Sequence, residues 1–363
     1  MNSAITIVLP ALGGGGVERL FVHLANDWAE HGFQVSILLM EKRGEFLNLV
    51  SQDVKILELN VKRYRDVLKP LVGYLKRSSS DVVITAMWPL NSIVAISWFL
   101  SGRRSKLFLS EHENLTESYI NQGKENEFIF KKIIKYTYSI STGVVAVSNG
   151  VKQDLINIGE LQKNTIKVIY NPAATGVDMC QEGANNKYWR NKFEYHILSV
   201  GRLAFQKDHE TLIKAFSFSL EYIDAELVIV GQGELKKDLL DLIRELNLGD
   251  RVRLVGFQIN PSCWYKFSDL FVLSSRWEGF GNVIVEALEY GVPVLSTDCP
   301  SGPSEILENG RYGSLVPIGD TVSISKEIIR LVSMKHDKKR LIERANEFSV
   351  KKISLEYLNY IFQ

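Results

Sequence analysis

This sequence has few cysteines, a small net charge and no long apolar run, and each of these features argues against a class of protein. Among 363 residues there are three cysteines, Cys180, Cys263 and Cys299. They lie far apart, with neither a metal-ligand spacing nor a disulfide framework, so we expect free thiols in a reducing compartment. The formal net charge is only +1, so no strong overall field favours nucleic acid, and no nucleic-acid partner is expected.

Targeting and membrane-spanning segments are also missing from the pattern. The opening residues, "MNSAITIVLPALGGGG", have no basic region before their short apolar run, which is unlike a signal peptide. The apolar stretch at 92–102, "SIVAISWFLSG", is far shorter than the roughly 20 residues of a spanning helix. We therefore expect a cytoplasmic protein that is at most peripheral to the inner face of a membrane.

Positive charge is unevenly distributed along the chain. Residues 1–190 hold 22 Lys+Arg and 18 Asp+Glu, a balance of +4, and the remainder holds 21 and 24, a balance of −3. Basic clusters occur at 62–65, 102–106 and 130–135. Two interpretations stay open: an ordinary solvated surface, or contact with anionic lipid or with an acceptor that carries a diphosphate.

Short apolar runs alternate with amphipathic stretches through most of the chain, which indicates an α/β fold. The runs are nearly continuous and rich in β-branched residues, as in parallel strands covered on both faces. The length of the chain, 363 residues, predicts two domains. The alternation of strands and helices predicts that both are Rossmann-like and doubly wound and that they face each other across a cleft, with ligands at the carboxyl ends of the strands. The predicted boundaries are an N-terminal domain at 1–172, a linker at 173–195, a C-terminal domain at 196–345, and a helix at 346–363 that packs back on the N-terminal domain.

The stretch "RWEGFGNVIVEALEYG" at 276–291 follows a predicted strand and contains a glycine-rich turn. Gly281 lets the chain turn closely, and Asn282 is predicted to begin a helix. The free N–H groups and the dipole of a helix N-terminus favour an anion. A phosphate therefore fits at Gly281, Asn282 and Val283.

Two carboxylates flank this predicted anion site. Glu286 lies about one helical turn further along, roughly 6 Å away, where it could accept hydrogen bonds from the vicinal hydroxyls of a ribose. Glu278, on the other side, could accept them from a sugar. The order sugar, phosphate, ribose is that of a nucleotide sugar. The alternative is that both glutamates are surface charges around a tight turn.

Further polar groups and glycines occur at other predicted strand ends of the second domain. Arg202 and Lys207 follow one strand and could neutralise a diphosphate, although a surface pair is the alternative. The backbone near Gly256 and Phe257 ends another strand and could contact the edge of a base. In the first domain, Gly15 and Gly16 belong to a glycine run that would admit an anion or a sugar.

The glycine run does not have the spacing of better-known nucleotide motifs. The third glycine of G-x-G-x-x-G would fall at Glu18, and no GK[ST] follows, so neither a dinucleotide fingerprint nor a P-loop is present. His112 ends a strand and is predicted to face the cleft, with a structural histidine as the alternative. Glu111, beside it, is predicted to point away.

Four motifs carry a family resemblance when they are taken together: "GGGGVER", "SEH" at 110–112, "VGRL…QKD" at 201–208 and "EGFGNVIVE" at 278–286. With these motifs the sequence resembles the retaining glycosyltransferases of family 4, which have the GT-B fold. The resemblance implies that Arg202 and Lys207 bind the donor diphosphate and that Glu286 binds the ribose. It also implies that Glu278, with the amides around Phe280 to Asn282, binds the sugar and phosphate, and that His112 contacts the transferred sugar. Members of this family use no metal, and the sequence has no D-x-D to hold one, so neither a metal nor a cofactor is expected.

The segment "DCPSGPSEIL" at 298–307 resembles a bacterial branch that assembles surface polysaccharides and lipid-linked oligosaccharides. That implies transfer of a hexose or N-acetylhexosamine from a UDP-sugar to a saccharide acceptor, with an acceptor linked to undecaprenyl diphosphate as one form. Two alternatives stay open. One is a GT-B sugar-nucleotide epimerase or phosphorylase, and the other is a non-catalytic nucleotide-sugar-binding subunit.

Overall fold

The computed structural model describes residues 3–121, 123, 126–176, 180 and 188–363. The chain forms two compact units. The first unit comprises Met1–Pro172 together with Val350–Gln363, and the second comprises Ala173–Ser349. Each unit contains one parallel sheet with helices packed against it.

The first unit has a seven-stranded sheet in its described part. Its strands are β1 Ala4–Leu9, β2 Gln34–Leu39, β3 Lys55–Glu58, β4 Val82–Ala86, β5 Lys106–Glu111, β6 Gly143–Ala146 and β7 Ile166–Val168. The spatial order is β3-β2-β1-β4-β5-β6-β7, with every neighbouring pair parallel. Its helices are α1 Gly16–Glu30, α2 Leu68–Arg77, α3 Leu90–Leu100, α4 Leu115–Asn121, α5 Glu127–Ser139 and α6 Asn149–Gly159.

The second unit has a six-stranded parallel sheet in its described part. Its strands are β8 Tyr195–Val200, β9 Ala225–Val230, β10 Val252–Gly256, β11 Leu270–Leu273, β12 Val294–Thr297 and β13 Ser314–Val316. The spatial order is β10-β9-β8-β11-β12-β13. Its helices are α7 His209–Ser219, α8 Lys236–Glu245, α9 Ser262–Lys266, α10 Asn282–Glu289, α11 Pro303–Ile306, α12 Thr321–Val332 and α13 Lys338–Ala345.

Burial of the strands on both faces explains the near-continuous apolar runs. All six residues of β9 and all five of β4 are buried. In parallel sheets the crossover helices cover both faces, so polar alternation is lost. The predicted α/β class and the doubly wound parallel sheets are confirmed.

The chain ends in α14, Val350–Phe362, which belongs to the first unit. Ile353, Tyr357 and Ile361, spaced four residues apart, form one buried face in the core of that unit. The ring of Tyr357 lies 6.1 Å from that of Trp28 on α1. This helix therefore places C-terminal side chains beside the first sheet. No helix within the described ranges has the length and apolar character needed to cross a bilayer.

Two parts of the chain differ from the sequence-based expectation or lie outside the description. Strand β3 is not predicted, because "KILE" is a short edge strand in which only Ile56 and Leu57 are apolar. Of the predicted linker at 173–195, residues 177–179 and 181–187 lie outside the described residues. Ala174 forms a parallel bridge with Ser349 within the second unit, and Tyr195 already begins β8.

The expectation of three free thiols is wrong for two of them. Cys180 and Cys263 form a disulfide, with their Cα atoms 4.9 Å apart. The two residues are 83 positions apart, so no local spacing signalled the pair. Cys299 is free and buried, and burial raises the pKa of its thiol to about 12.

Replacing Cys180 with serine is expected to lower the free energy of unfolding of the oxidised protein by about 2–4 kcal/mol. The disulfide closes a long loop in the unfolded chain, and its loss restores that conformational freedom. Urea unfolding with and without dithiothreitol measures the effect. Dithiothreitol should destabilise the wild type and leave Cys180→Ser unchanged; an equal response of the two proteins would contradict the pairing.

Candidate functional site

The order of the second sheet locates its candidate site. Strands β8 and β11 are hydrogen-bonded neighbours, and chain order reverses between them. In open α/β sheets, ligands bind outside the carboxyl ends of the strands at such a switch point. Residues 201–208 follow β8 and residues 274–281 follow β11. Both segments carry predicted site residues.

Lys207 and Glu278 meet at this switch point. The Lys207 Nζ lies 2.5 Å from the Glu278 Oε1. The two side chains are only 16% and 8% exposed, so each charge depends on the other for compensation. The structure thus brings together a predicted diphosphate ligand and a predicted sugar ligand that are 71 residues apart in sequence.

Hydrogen bonds hold the two segments in register around this pair. The Ser275 hydroxyl donates to Glu278 Oε1 at 2.6 Å, and the Ser274 hydroxyl donates to the Lys207 carbonyl at 2.8 Å. Arg276 forms an ion pair with buried Asp208 at 3.0 Å. Sequence reasoning missed both serines, although their position at the end of β11 is a usable signal.

A third segment packs closely against the turn after Glu278. Gly302 has φ +100°, and a Cβ there would lie 1.9 Å from the carbonyl oxygen of Phe280. The backbone N–H of Glu278 donates to the Pro300 carbonyl at 3.2 Å. Glycine at 302 is therefore required by both conformation and space. The loops after β11 and β12 are therefore in direct backbone contact.

Helix α10 begins at Asn282, as predicted, with Gly281 at its N-cap in the left-handed region. Val283 and Glu286 lie on this helix. The Tyr265 hydroxyl, from α9, donates to Glu286 Oε2 at 2.8 Å. Sequence reasoning missed Tyr265, because an aromatic residue in a short apolar helix is ordinarily a packing residue.

Three further residues of the second unit that were predicted to bind the sugar-nucleotide donor have other contacts in the structure. Arg202 is 71% exposed and pairs with Glu234 at 3.1 Å rather than with the Lys207–Glu278 pair. The Phe280 side chain is buried and packs edge-on against Phe348, so its backbone alone is available to a ligand. Gly256 accepts a hydrogen bond from the Gly231 N–H at 3.0 Å, immediately before Phe257.

In the first unit, the glycine run leads directly into α1. Gly15 is the N-cap and Gly16 is the first helical residue. A Cβ on Gly15 would lie 2.2 Å from Glu18 Oε2, so the Glu18 carboxylate folds back over the start of the helix. Burial raises the pKa of Glu18. An anion at this helix start would have to displace that carboxylate.

His112 follows β5 and is buried, with 6% of its surface exposed. Its Nε2 lies 2.8 Å from the Ser110 hydroxyl oxygen, and its ring contacts Phe21 edge-on with centroids 5.7 Å apart. Burial lowers the pKa of His112 to about 3, an effect that the Asn171 side chain partly offsets. The imidazole is therefore neutral at physiological pH.

The Glu111 side chain is buried in the first unit, and one of its oxygens, Oε1, accepts a hydrogen bond from the His112 backbone N–H at 3.1 Å. It accepts hydrogen bonds from the Tyr138 hydroxyl at 2.5 Å and from the Asn91 amide at 3.2 Å. Burial raises the pKa of Glu111 to about 7, against the opposing effect of these bonds. This carboxylate has a structural environment rather than a ligand-facing one.

Nothing in the described part of the chain forms a cluster of three or more His, Cys, Asp or Glu side chains that could hold a metal ion. The two carboxylates predicted to bind the donor, Glu278 and Glu286, accept from Lys207 and Tyr265 respectively.

Comparison with known proteins assigns the chain to a family. The profile "Glycosyltransferase Family 4" matches residues 14–176, and "Glycosyl transferases group 1" matches residues 183–348. An uncharacterized glycosyltransferase of Methanocaldococcus jannaschii is 31% identical over 385 residues, covering 94% of this chain and 91% of that protein. The protein is thus a glycosyltransferase of family 4 with the GT-B fold.

Two other proteins match this chain over nearly the full length of both. The N-acetylgalactosamine-N,N'-diacetylbacillosaminyl-diphospho-undecaprenol 4-alpha-N-acetylgalactosaminyltransferase of Campylobacter jejuni is 28% identical over 367 residues, covering 98% of each chain. The crystal structure of Anabaena Alr3699/HepE in complex with UDP and glucose superposes with a TM-score of 0.80 at 20% identity, covering 99% of each chain. At that identity, the superposition supports the GT-B fold alone.

Proposed function

We propose that this glycosyltransferase transfers a hexose or N-acetylhexosamine from a UDP-sugar to a saccharide acceptor with retention of configuration, without a metal ion. The observation that carries the proposal is the buried Lys207–Glu278 pair at the β8/β11 switch point. Helix α10 starts four residues after Glu278 and carries Glu286. Glu278 lies beside Lys207, and the N-terminus of α10 and then Glu286 follow it in sequence. This order matches the sugar, phosphate and ribose of a nucleotide sugar.

Each proposed role follows from the chemistry of the group. Lys207 and the start of α10 stabilise negative charge on the leaving diphosphate, and exposed Arg202 joins them when a donor is bound. Glu278 accepts from sugar hydroxyls, and Glu286, held by Tyr265, accepts from the ribose hydroxyls. In the first unit, neutral His112 contacts the transferred sugar. The glycine run that includes Gly15 and Gly16 admits the donor once Glu18 moves.

The proposed reaction proceeds by attack on the same face that the leaving group departs from. The bond between the anomeric carbon and the diphosphate oxygen breaks, and a bond to the acceptor hydroxyl oxygen forms on that face. The acceptor proton passes to the departing diphosphate oxygen. Glu278 is not assigned as a covalent nucleophile, because its Oε1 already accepts from Lys207 and Ser275 and its other oxygen is assigned to the sugar hydroxyls.

The proposed acceptor is a saccharide linked to a lipid diphosphate. Support comes from the name of the Campylobacter relative, a diphospho-undecaprenol N-acetylgalactosaminyltransferase. It also comes from a lipopolysaccharide core biosynthesis glycosyltransferase of Rhizobium meliloti, which is 28% identical and covers 94% of this chain. Helix α5 exposes apolar side chains and lysines on its surface, which is compatible with an acceptor held at a membrane.

Turnover with defined donors tests the proposal. The protein is incubated with a panel of UDP-sugars and with free or undecaprenyl-diphosphate-linked saccharides, and products are analysed by mass spectrometry and by NMR of the new anomeric proton. An extended saccharide that keeps the donor's anomeric configuration supports it. Isomerised UDP-sugar without an acceptor would indicate an epimerase, sugar phosphate would indicate a phosphorylase, and donor binding without turnover would indicate a binding subunit.

Replacing Glu286 with glutamine is expected to weaken UDP binding about tenfold, because an amide accepts less well from two ribose hydroxyls than a carboxylate does. Tyr265→Phe should weaken it less, since it removes only the group that orients Glu286. Calorimetric titration with UDP measures both. UDP affinity equal to that of the wild type in Glu286→Gln would remove Glu286 from the ribose site.

The outer face of α5 supports peripheral contact with an anionic membrane. Phe128, Ile129 and Tyr136 are 69%, 54% and 65% exposed, and Lys131 and Lys132 are exposed on the same helix. The Lys132 Nζ lies 4.2 Å from the Phe128 ring centroid. Exposed aromatic and aliphatic side chains interleaved with lysines are typical of helices that lie in a bilayer interface.

Charge reversal of Lys131 and Lys132 to glutamate is expected to weaken binding to phosphatidylglycerol vesicles by at least roughly 30-fold, since each lysine near an anionic surface contributes about 1 kcal/mol. Vesicle sedimentation at low salt measures the binding. The matched control is reversal of the exposed pair Lys236 and Lys237 on α8, which should have little effect. Equal binding of the wild type to phosphatidylglycerol and phosphatidylcholine vesicles would contradict the membrane contact.

A further inference from the structure

A short chain of hydroxyl groups connects the C-terminal helix to His112. The Tyr357 hydroxyl lies 3.1 Å from the Ser110 Oγ, and the same Oγ lies 2.8 Å from His112 Nε2. All three residues belong to the first unit and are buried. Tyr357 is 247 residues from Ser110 in sequence, so only the return of α14 onto the first sheet creates this arrangement.

The direction of the hydrogen bonds follows from the number of partners. A buried tyrosine hydroxyl is expected to donate its proton to a partner. Within the described residues, Ser110 Oγ is the partner that the Tyr357 hydroxyl has, so Tyr357 donates to Ser110. The Ser110 proton is then directed to its remaining partner, His112 Nε2. A nitrogen that accepts carries no proton, which places the imidazole proton on Nδ1.

The packing of Tyr357 holds its hydroxyl group in place beside Ser110. Its ring contacts that of Trp28, and the neighbouring residues Ile353 and Ile361 on the same helix face are fully within the core. Ser354, one turn before, donates to Asp27 on α1. Burial raises the pKa of Tyr357, so the phenol keeps its proton at any working pH and stays a donor.

We propose that Tyr357 is a positioning residue which, through Ser110, fixes His112 as the Nδ1–H tautomer in a single ring orientation. A neutral imidazole with a fixed proton suits contact with an uncharged sugar, whereas it gives a diphosphate no cationic partner. The role of His112 toward the sugar rests on the proposed function, but the tautomer does not. The C-terminal helix therefore contributes to the first unit's part of the reaction and not only to its stability.

Imidazole NMR tests the tautomer directly. The protein is labelled with ¹⁵N-histidine, and the His112 signals are identified by their loss in His112→Ala. The wild type is expected to show a protonated Nδ1 and an unprotonated Nε2. Tyr357→Phe, which removes one oxygen atom, frees Ser110 to accept from the ring, so both tautomers should be seen. Ser110→Ala should give the same mixture.

The matched control is Tyr360→Phe on the same helix. The Tyr360 hydroxyl donates to the Thr165 carbonyl at 3.5 Å, whereas the Tyr357 hydroxyl bonds to Ser110. This variant should show the wild-type His112 spectrum. It also controls for any general loosening of α14, because Tyr360 packs against Phe108 in the same unit.

Kinetics provide the functional readout. Tyr357→Phe is expected to lower kcat about tenfold with the KM for the donor nearly unchanged, the scale of one hydrogen bond in the transition state. A wild-type His112 that carries its proton on Nε2, or a Tyr357→Phe spectrum identical to the wild type, overturns the proposal. A changed tautomer with unchanged kcat overturns the positioning role. If the wild type transfers no sugar at all, the proposed function fails, while the NMR result still decides the tautomer.

Discussion

Lys207→Ala is expected to lower kcat/KM by about 100- to 1000-fold, the range found when one preorganised charge donor is removed from a developing anion. Donor affinity should fall as well, because the ammonium also contacts the diphosphate in the ground state. Steady-state kinetics with the preferred UDP-sugar, together with calorimetry of UDP, separate the two effects. Activity within threefold of the wild type would contradict the assignment of Lys207.

The structure requires a second variant alongside this one. Removing Lys207 leaves the buried Glu278 carboxylate without its partner, which destabilises the folded state independently of catalysis. The double variant Lys207→Ala, Glu278→Gln removes that unpaired charge and should recover stability while activity stays low. Recovery of activity together with stability would show that the pair is structural. Lys214→Ala, which removes an exposed lysine paired with Glu210 on α7, is the control and should leave activity unchanged.

Glu111→Gln is expected to flatten the pH dependence of the free energy of unfolding, because it removes the titrating group. Burial raises the pKa of Glu111 from 4.5 to about 7 in the folded protein, so the folded state binds this proton more tightly than the unfolded state does. The contribution of Glu111 to the free energy of unfolding therefore falls as pH rises from about 4.5 to about 7. At about 1.4 kcal/mol per pKa unit, the loss is roughly 3 kcal/mol.

Urea unfolding of both proteins between about pH 5 and pH 8 measures this difference. The variant should gain on the wild type as pH rises, and the difference between the two should stop changing once Glu111 is ionised. Glu45→Gln is the control, because Glu45 is exposed and belongs to the same unit. A stability difference between wild type and Glu111→Gln that does not change with pH would show that Glu111 titrates normally.

The layout of the fold could be predicted from sequence because it rests on local patterns. Buried parallel strands such as β4 and β9 appear as continuous β-branched runs, and the doubly wound topology then fixes where their carboxyl ends gather. Lys207 and Glu278 could be placed together for that reason, since each follows a strand adjacent to the switch point. The start of α10 at Asn282 was predictable because Gly281 marks the turn before it.

Contacts between distant segments could not be predicted in the same way. Tyr265 and Tyr357 lie at apolar positions of helices, where an aromatic ring is ordinarily part of the core, and only the packed structure shows which polar group each hydroxyl meets. The Cys180–Cys263 disulfide spans 83 residues and has no local signal. The exposed Arg202 side chain pairs with Glu234, a contact that sequence spacing does not determine.

The most direct test of the central claim is a thermal-shift screen of the purified protein with UDP, GDP, ADP and a panel of UDP-sugars, each with and without EDTA. A ligand at 100 times its Kd stabilises the folded state by about 2.7 kcal/mol, which is readily seen as a rise in Tm. A metal-independent UDP-sugar site predicts a rise in Tm with UDP and with one UDP-sugar that EDTA does not change. No rise with any nucleotide, or a rise with GDP or ADP alone, would contradict the UDP-sugar site at Lys207, Glu278 and Glu286.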